Sequence, residues 1–176
     1  MLSSALLLAA LAAVGFAQDV EVPAAEPATE VRRVLLTSMV DVKFLLTASK
    51  SEAGSGVVVQ TQTDGPEQHW LLQEGASTLQ LADTTLCVDG GAQTNWKDMG
   101  TLTLEECEEG KESQQWTVME DGRIALTASN PQQCLDLVFM RAVQNNAVGL
   151  YACAGLGNTG AADKGINWPL VDVEAP

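Results

Sequence analysis

Four cysteines, one histidine and 23 acidic side chains are the groups in this 176-residue chain that could do chemistry. A zinc site would need thiolates or imidazoles spaced to reach one ion, yet there is no Cys-x-x-Cys pair and His69 is the only histidine. No metal site and no cofactor are therefore predicted. Nucleophilic catalysis has no better support, because there is no Gly-x-Ser-x-Gly turn and no nucleophile near His69. Paired carboxylates can hydrolyse glycosides, but among 23 acids nothing selects a pair. The chain is expected to bind, not to catalyse. Cys87, Cys107, Cys134 and Cys153 read first as two disulfides of an oxidising compartment. Three pairings are open; the similar separations of 20 and 19 residues favour two local bridges, each contributing roughly 3 kcal/mol by loop closure.

Charge narrows the partners. With 9 Lys+Arg against 23 Asp+Glu, the net charge is −14. Nucleic acid is held by cations on phosphates, so an anionic surface of this strength excludes it as a partner. The same repulsion applies to acidic lipid headgroups. Neutral partners fit best. Residues 1–17 hold 14 apolar residues and no charged side chain, and the run from Ala5 to Val14 is too short to span a bilayer. Followed by Gly15-Phe16-Ala17, it reads as a secretory signal peptide, so a secreted, extracellular chain with no membrane insertion after its removal is predicted. Residues 18–30, acidic and rich in Ala and Pro, read as a disordered lead-in.

The elements that must position any site begin at residue 31. Short runs rich in Val, Leu and Thr, such as Val57-Val58-Val59 and Thr101-Leu102-Thr103-Leu104, alternate with Gly, Asn and Asp clusters. No apolar run at helical spacing exceeds two turns, so an all-β domain over 31–176 is predicted. Gln68-His69-Trp70, Gln114-Gln115-Trp116 and Ile166-Asn167-Trp168 each close a segment, with tryptophans 46 and then 52 residues apart. Upstream, Phe44-Leu45-Leu46, Cys87-Val88-Asp89 and Cys134-Leu135-Asp136 correspond in order. Three repeats follow, at about 31–72, 73–122 and 123–173. Units this short cannot bury an apolar face alone and must share a core, with the three tryptophans inside it.

Three Gln-x-Trp units or their relics, with Cys134-Leu135-Asp136 and Val148-Gly149-Leu150-Tyr151-Ala152-Cys153 in the third, resemble the ricin-B-like β-trefoil lectins. The resemblance covers roughly residues 31–173. It implies a barrel of six strands capped by three hairpins, with both disulfides inside a repeat: Cys87 to Cys107 and Cys134 to Cys153. It also implies carbohydrate binding. In that family an Asp accepts hydrogen bonds from ring hydroxyls, an aromatic ring stacks on the sugar, and an Asn or Gln orients it. An ionised carboxylate is an acceptor only and makes the stronger, charge-assisted bonds; a rigid aromatic offers apolar area at low entropic cost.

Carried over residue by residue, the third repeat places Asp136 as the acceptor, Tyr151 as the stacking ring and Asn158 as the orienting amide. Thr159 stands where the family has Gln, and Trp168 lies 15 residues after Cys153 whereas Trp116 lies nine after Cys107. The six additional residues are expected within 160–165; were they to lie before position 158, the Asn158 assignment would fail. The second repeat retains Asp89 but has Glu105 at the stacking position, with Trp96 as a possible substitute ring. The first has Leu46 for the Asp and Gln60 for the aromatic, and reads as structural. Asp89 and Asp136 equally suit turn capping, and Tyr151 equally suits a surface strand. The favoured reading is a secreted, non-catalytic lectin for neutral glycans acting through the third repeat. The rival is a β-trefoil protein-binding module, a protease inhibitor or secreted effector, with degenerate sugar sites.

Overall fold

The computed structural model describes residues 30–63 and 65–173. The expected signal peptide and nearly all of the lead-in lie outside them. Thirteen strands joined by turns and single-turn 3-10 segments make up the described residues, with no α-helix among them. The strands are short because Gly and Asn interrupt them, and they alternate where one face is wet. In β3 (Val57–Thr61) Val57 and Val59 point inward while Val58 and Gln60 are half-exposed. By contrast β11 (Gln133–Leu137) is buried on both faces.

The chain forms a β-trefoil of three pseudo-repeats. Its first strand, β1 (Arg32–Leu36), pairs antiparallel with both β4 (Trp70–Leu72) and the last strand, β13 (Leu170–Asp172), so the ends of the fold are stitched together. Within the repeats, β2 (Phe44–Ala48) pairs with β3, β7 (Leu86–Asp89) with β8 (Thr103–Glu106), and β11 with β12 (Asn146–Ala152). Repeats are joined where β12 meets β3 and where Gly149 bridges Thr101. Both disulfides form inside a repeat, Cys87–Cys107 and Cys134–Cys153, each beside one of these hairpins.

Trp70, Trp116 and Trp168 are fully buried in one shared core with leucines from every repeat. Burying each indole stabilises by roughly 4–6 kcal/mol as an upper value from area. A buried indole N–H also needs an acceptor, or it costs about 1–3 kcal/mol. Each finds the same one: Trp70 Nε1 donates to Leu46 O at 3.0 Å, Trp116 Nε1 to Val88 O at 3.1 Å and Trp168 Nε1 to Leu135 O at 3.0 Å. These three bonds set the register of the repeats. They correct one equivalence, because the residue following the accepting carbonyl is Asp89, Asp136 and, in the first repeat, Thr47 in place of the expected Leu46. Strand pairing agrees, since Gln60, Glu105 and Tyr151 face Leu45, Cys87 and Cys134.

Candidate functional site

Each repeat places one buried polar side chain just after the strand carbonyl that holds its tryptophan: Thr47, Asp89 and Asp136. What surrounds each is set by the residues counted back from the tryptophan. Two positions back stand Gln68, Gln114 and Ile166. Gln68 Nε2 donates to Thr47 Oγ1 at 3.1 Å, and Gln114 Nε2 donates to Asp89 Oδ2 at 3.0 Å. Ile166 has nothing to donate. The glutamines also tie the neighbouring strand, through Thr61 O in the first repeat and Glu106 O in the second. Gln is thus a structural clamp in two repeats, and the third has given it up.

Five positions back stand Gly65, Lys111 and Asp163. Lys111 Nζ lies 3.1 Å from Asp89 Oδ2, and Gly91 N donates to Asp89 Oδ1 at 2.7 Å. Burial alone would raise the Asp89 carboxyl, but the donors Gly91, Ser113, Lys111 and Gln114 overcome it and hold the group below its usual range. Asp89 is therefore an ionised group whose acceptors are already filled. The concavity around it is lined by Thr103, Glu105 and Lys111, with no aromatic ring. Trp96 does not supply one: its ring packs against the core and its indole donates to Gly91 O at 3.1 Å.

Asp136 is in the opposite state. It is 7% exposed, and no described residue donates a hydrogen bond to its carboxylate or forms an ion pair with it. Burial, followed by the charges of Asp163 and Asp98, pushes it up to about 7. It opens onto a cavity of about 270 Å³ together with Tyr151 and Asp163. Tyr151 is half-buried and packs beside the Cys134–Cys153 bridge. Met99, Phe139, Met140 and Leu156 complete an apolar rim, all four exposed. Met99, Phe139 and Met140 have positive φ, backbone that L-residues seldom adopt.

The additional residues of the third repeat shape this cavity without filling it. The register puts Lys164-Gly165-Ile166 opposite Glu112-Ser113-Gln114, so the six extra residues lie upstream of Asp163, not within 160–165. Asn158 sits in this added loop, exposed, and does not line the cavity. The expected amide position belongs to Gly165 and Ile166 instead. Asn167 fixes the loop by donating to Ala161 O at 3.0 Å and Asp163 O at 2.7 Å. Asp163 in turn accepts from Leu156 N at 2.6 Å and Gly165 N at 2.9 Å. A side chain at Gly165 would crowd the cavity: its Cβ would stand 3.0 Å from both Asp136 Oδ1 and Met140 Cγ, and 3.3 Å from Asp163 Oδ1, so these side chains would have to give way slightly.

Asp136 and Tyr151 are thus brought together, while Asn158 and Asp89 are left apart from them. Asp163, Phe139, Met99, Met140 and Leu156 were not anticipated. Asp163 could have been found by counting five residues back from Trp168; the others come from loops that carry no motif. Among the described residues no cluster of His, Cys, Asp or Glu suited to a metal ion occurs, and no helix is long and apolar enough to cross a membrane.

Residues 77–163 match the family described as ricin-type beta-trefoil lectin domain. Among solved structures, the designed three-fold symmetric protein ThreeFoil is similar at 20% identity and a TM-score of 0.65, over 80% of this chain and 99% of that one. The C-half of an earthworm R-type lectin, solved with GalNAc, is similar at 15% identity and a TM-score of 0.59, over 81% of this chain and 99% of that one. The Vibrio vulnificus hemolysin/cytolysin β-trefoil lectin, solved with N-acetyl-D-lactosamine, is similar at 18% identity and a TM-score of 0.58, over 83% and 98%. A search of curated proteins finds no significant match.

Proposed function

We propose, from the premise that this chain carries a domain of the ricin-type β-trefoil lectin family, that it binds carbohydrate without catalysis through the cavity of its third repeat. The observation that carries this is the pairing of an unfilled, buried acceptor, Asp136, with the half-buried ring of Tyr151 on one open cavity. A pyranose has polar edges and an apolar face, and these two groups meet both needs. Two of the similar structures were solved with sugars bound, which supports the reading. The first repeat offers Thr47 capped by Gln68, and the second an Asp89 occupied by Lys111, so neither has an open acceptor. The −14 charge argues against sulfated or phosphorylated glycans. Secretion belongs to the same reading, since the two disulfides suit an oxidising compartment.

One shallow site of this kind should bind in roughly the millimolar to tens-of-micromolar range, so presentation on a multivalent surface is needed for detection. The test is a glycan array with the immobilised chain beside Asp136→Ala and Tyr151→Ala. Binding by the wild type that is lost in both variants is expected. An empty array, or signals unchanged in both variants, would remove the site. The exposed ring of Phe139, with Met99, Met140 and Leu156 beside it, favours a second reading in which the same rim contacts a protein. An empty array together with a stoichiometric protein complex lost in Phe139→Ser would establish that instead.

A further inference from the structure

The second repeat shows what this fold does with a buried aspartate at the acceptor position: it meets it with an ammonium. Lys111, five residues before Trp116, reaches Asp89 at 3.1 Å. The same register position in the third repeat is Asp163, a reversal of charge. Its carboxylate does not touch Asp136 through a donor, and its own oxygens are taken by the backbone N–H groups of Leu156 and Gly165. The positions of Ser113 and Gln114, the other side-chain donors to Asp89, are Gly165 and Ile166. Where the second repeat has a lysine and a glutamine, the third has a carboxylate and an isoleucine, and Asp136 meets its cavity with no described donor on its carboxylate.

We infer that the cavity takes a sugar bearing a protonated primary amine, whose ammonium occupies, against Asp136, the place that Lys111 occupies against Asp89. This rests on the reading of the cavity as a carbohydrate site and narrows it. Four features of the site favour a cation over a ligand recognised through hydroxyls alone. Asp136 is more than nine-tenths buried, faces the cavity and has no partner. A second carboxylate, Asp163, lies on the same cavity, and Asp98 is close enough to act on Asp136 by charge. No described lysine or arginine pairs with any of the three, although Lys97, Arg141 and Lys164 lie near them in the chain. Finally, the rings of Tyr151 and Phe139 line the same cavity, and aromatic rings attract ammonium groups. A hydroxyl-only ligand would leave the two carboxylates mutually repelling, whereas an ammonium relieves that repulsion on arrival.

The experiment is calorimetric titration of the chain at pH 7 with glucosamine and galactosamine, each beside its parent hexose and its N-acetyl form. A lysine amide serves as the amine without a sugar. The free amine is expected to bind at least about tenfold tighter than either neutral form of the same sugar. Asp136→Asn, which removes the charge at constant shape, should reduce that preference to less than about threefold. Equal affinity for free-amine and neutral sugars, lost in Asp136→Asn and Tyr151→Ala, would overturn the inference and leave the carbohydrate reading standing. Binding of no sugar would overturn both. Lysine amide binding as tightly as either amino sugar would also overturn it, since the sugar ring would then contribute nothing.

Discussion

Replacing Asp136 by Asn should stabilise this protein at alkaline pH and leave it unchanged in acid. In the folded chain the carboxyl sits at about 7, against 3.8 for an unperturbed aspartate, because it is buried and faces Asp163 and Asp98. An acid raised on folding holds its proton more tightly in the native state. Between the two values the unfolded chain therefore carries fewer protons, and stability falls as pH rises from about 4 to about 7, then levels. At 1.36 kcal/mol for each unit, ionised Asp136 costs the native state about 4 kcal/mol above pH 7. Asn keeps the shape and never ionises. The variant should match the wild type near pH 4 and exceed it by up to about 4 kcal/mol at pH 8, a rise in Tm of roughly 8–16 °C for a domain of this size. Thermal denaturation followed by near-ultraviolet circular dichroism from pH 4 to 8 measures this, and comparing variant with wild type cancels the other titrating groups. A difference that stays flat across that range, or a variant less stable at pH 8, would refute the isolation of Asp136.

Three further outcomes follow from the same geometry. Amino-sugar affinity should fall by up to about fiftyfold from pH 7 to pH 5, because only the ionised fraction of Asp136 is competent and that fraction shrinks from about a half to about a hundredth; a titration series in matched buffers checks it. Gln114→Ala should cost roughly 2–4 kcal/mol, since it leaves Asp89 Oδ2, Glu106 O and the N–H of Glu108 without a shared partner inside the second repeat; urea denaturation at pH 7 reads it. Gly165→Ala should weaken binding in the third repeat with little loss of fold, because the new methyl would stand 3.0 Å from Asp136 Oδ1 and Met140 Cγ and displace them slightly; titration together with a melting curve separates the two effects.

The fold was readable because tryptophan and cysteine are rare and their places recur. Trp70, Trp116 and Trp168 are kept by a requirement that side chain and main chain share, burial of the ring and an acceptor for its N–H, so they mark the repeats even where other residues drift. The first repeat has no cysteine, and Leu45-Leu46-Thr47 offers no marker within a uniform apolar run; the alignment therefore slid by one residue, and Leu46 stood in for Thr47. Asp136 and Tyr151 were legible from their offsets to Cys134 and Cys153. Asn158 was not correctly placed, because the added loop turns on Gly155, Gly157 and Gly160, whose positive φ values permit several paths that spacing alone does not distinguish. The isolation of Asp136 was illegible for another reason. It depends on what is absent around the carboxylate, and a missing donor leaves no motif.

The tethering of each indole to a strand carbonyl carries a lesson for redesign. Since the acceptor is a peptide group, the tether of the indole does not depend on the side chain at that point of the strand, and it persists while the residues at the positions two and five before each tryptophan change. Gln, Gln and Ile at one of them, and Gly, Lys and Asp at the other, coexist in a single chain on the same scaffold. Ligand preference could thus be rewritten one repeat at a time: a lysine closes a site, and a carboxylate with an open loop frees it. The trefoil is in this sense a three-slot chassis whose wiring is common and whose sockets are independently exchangeable.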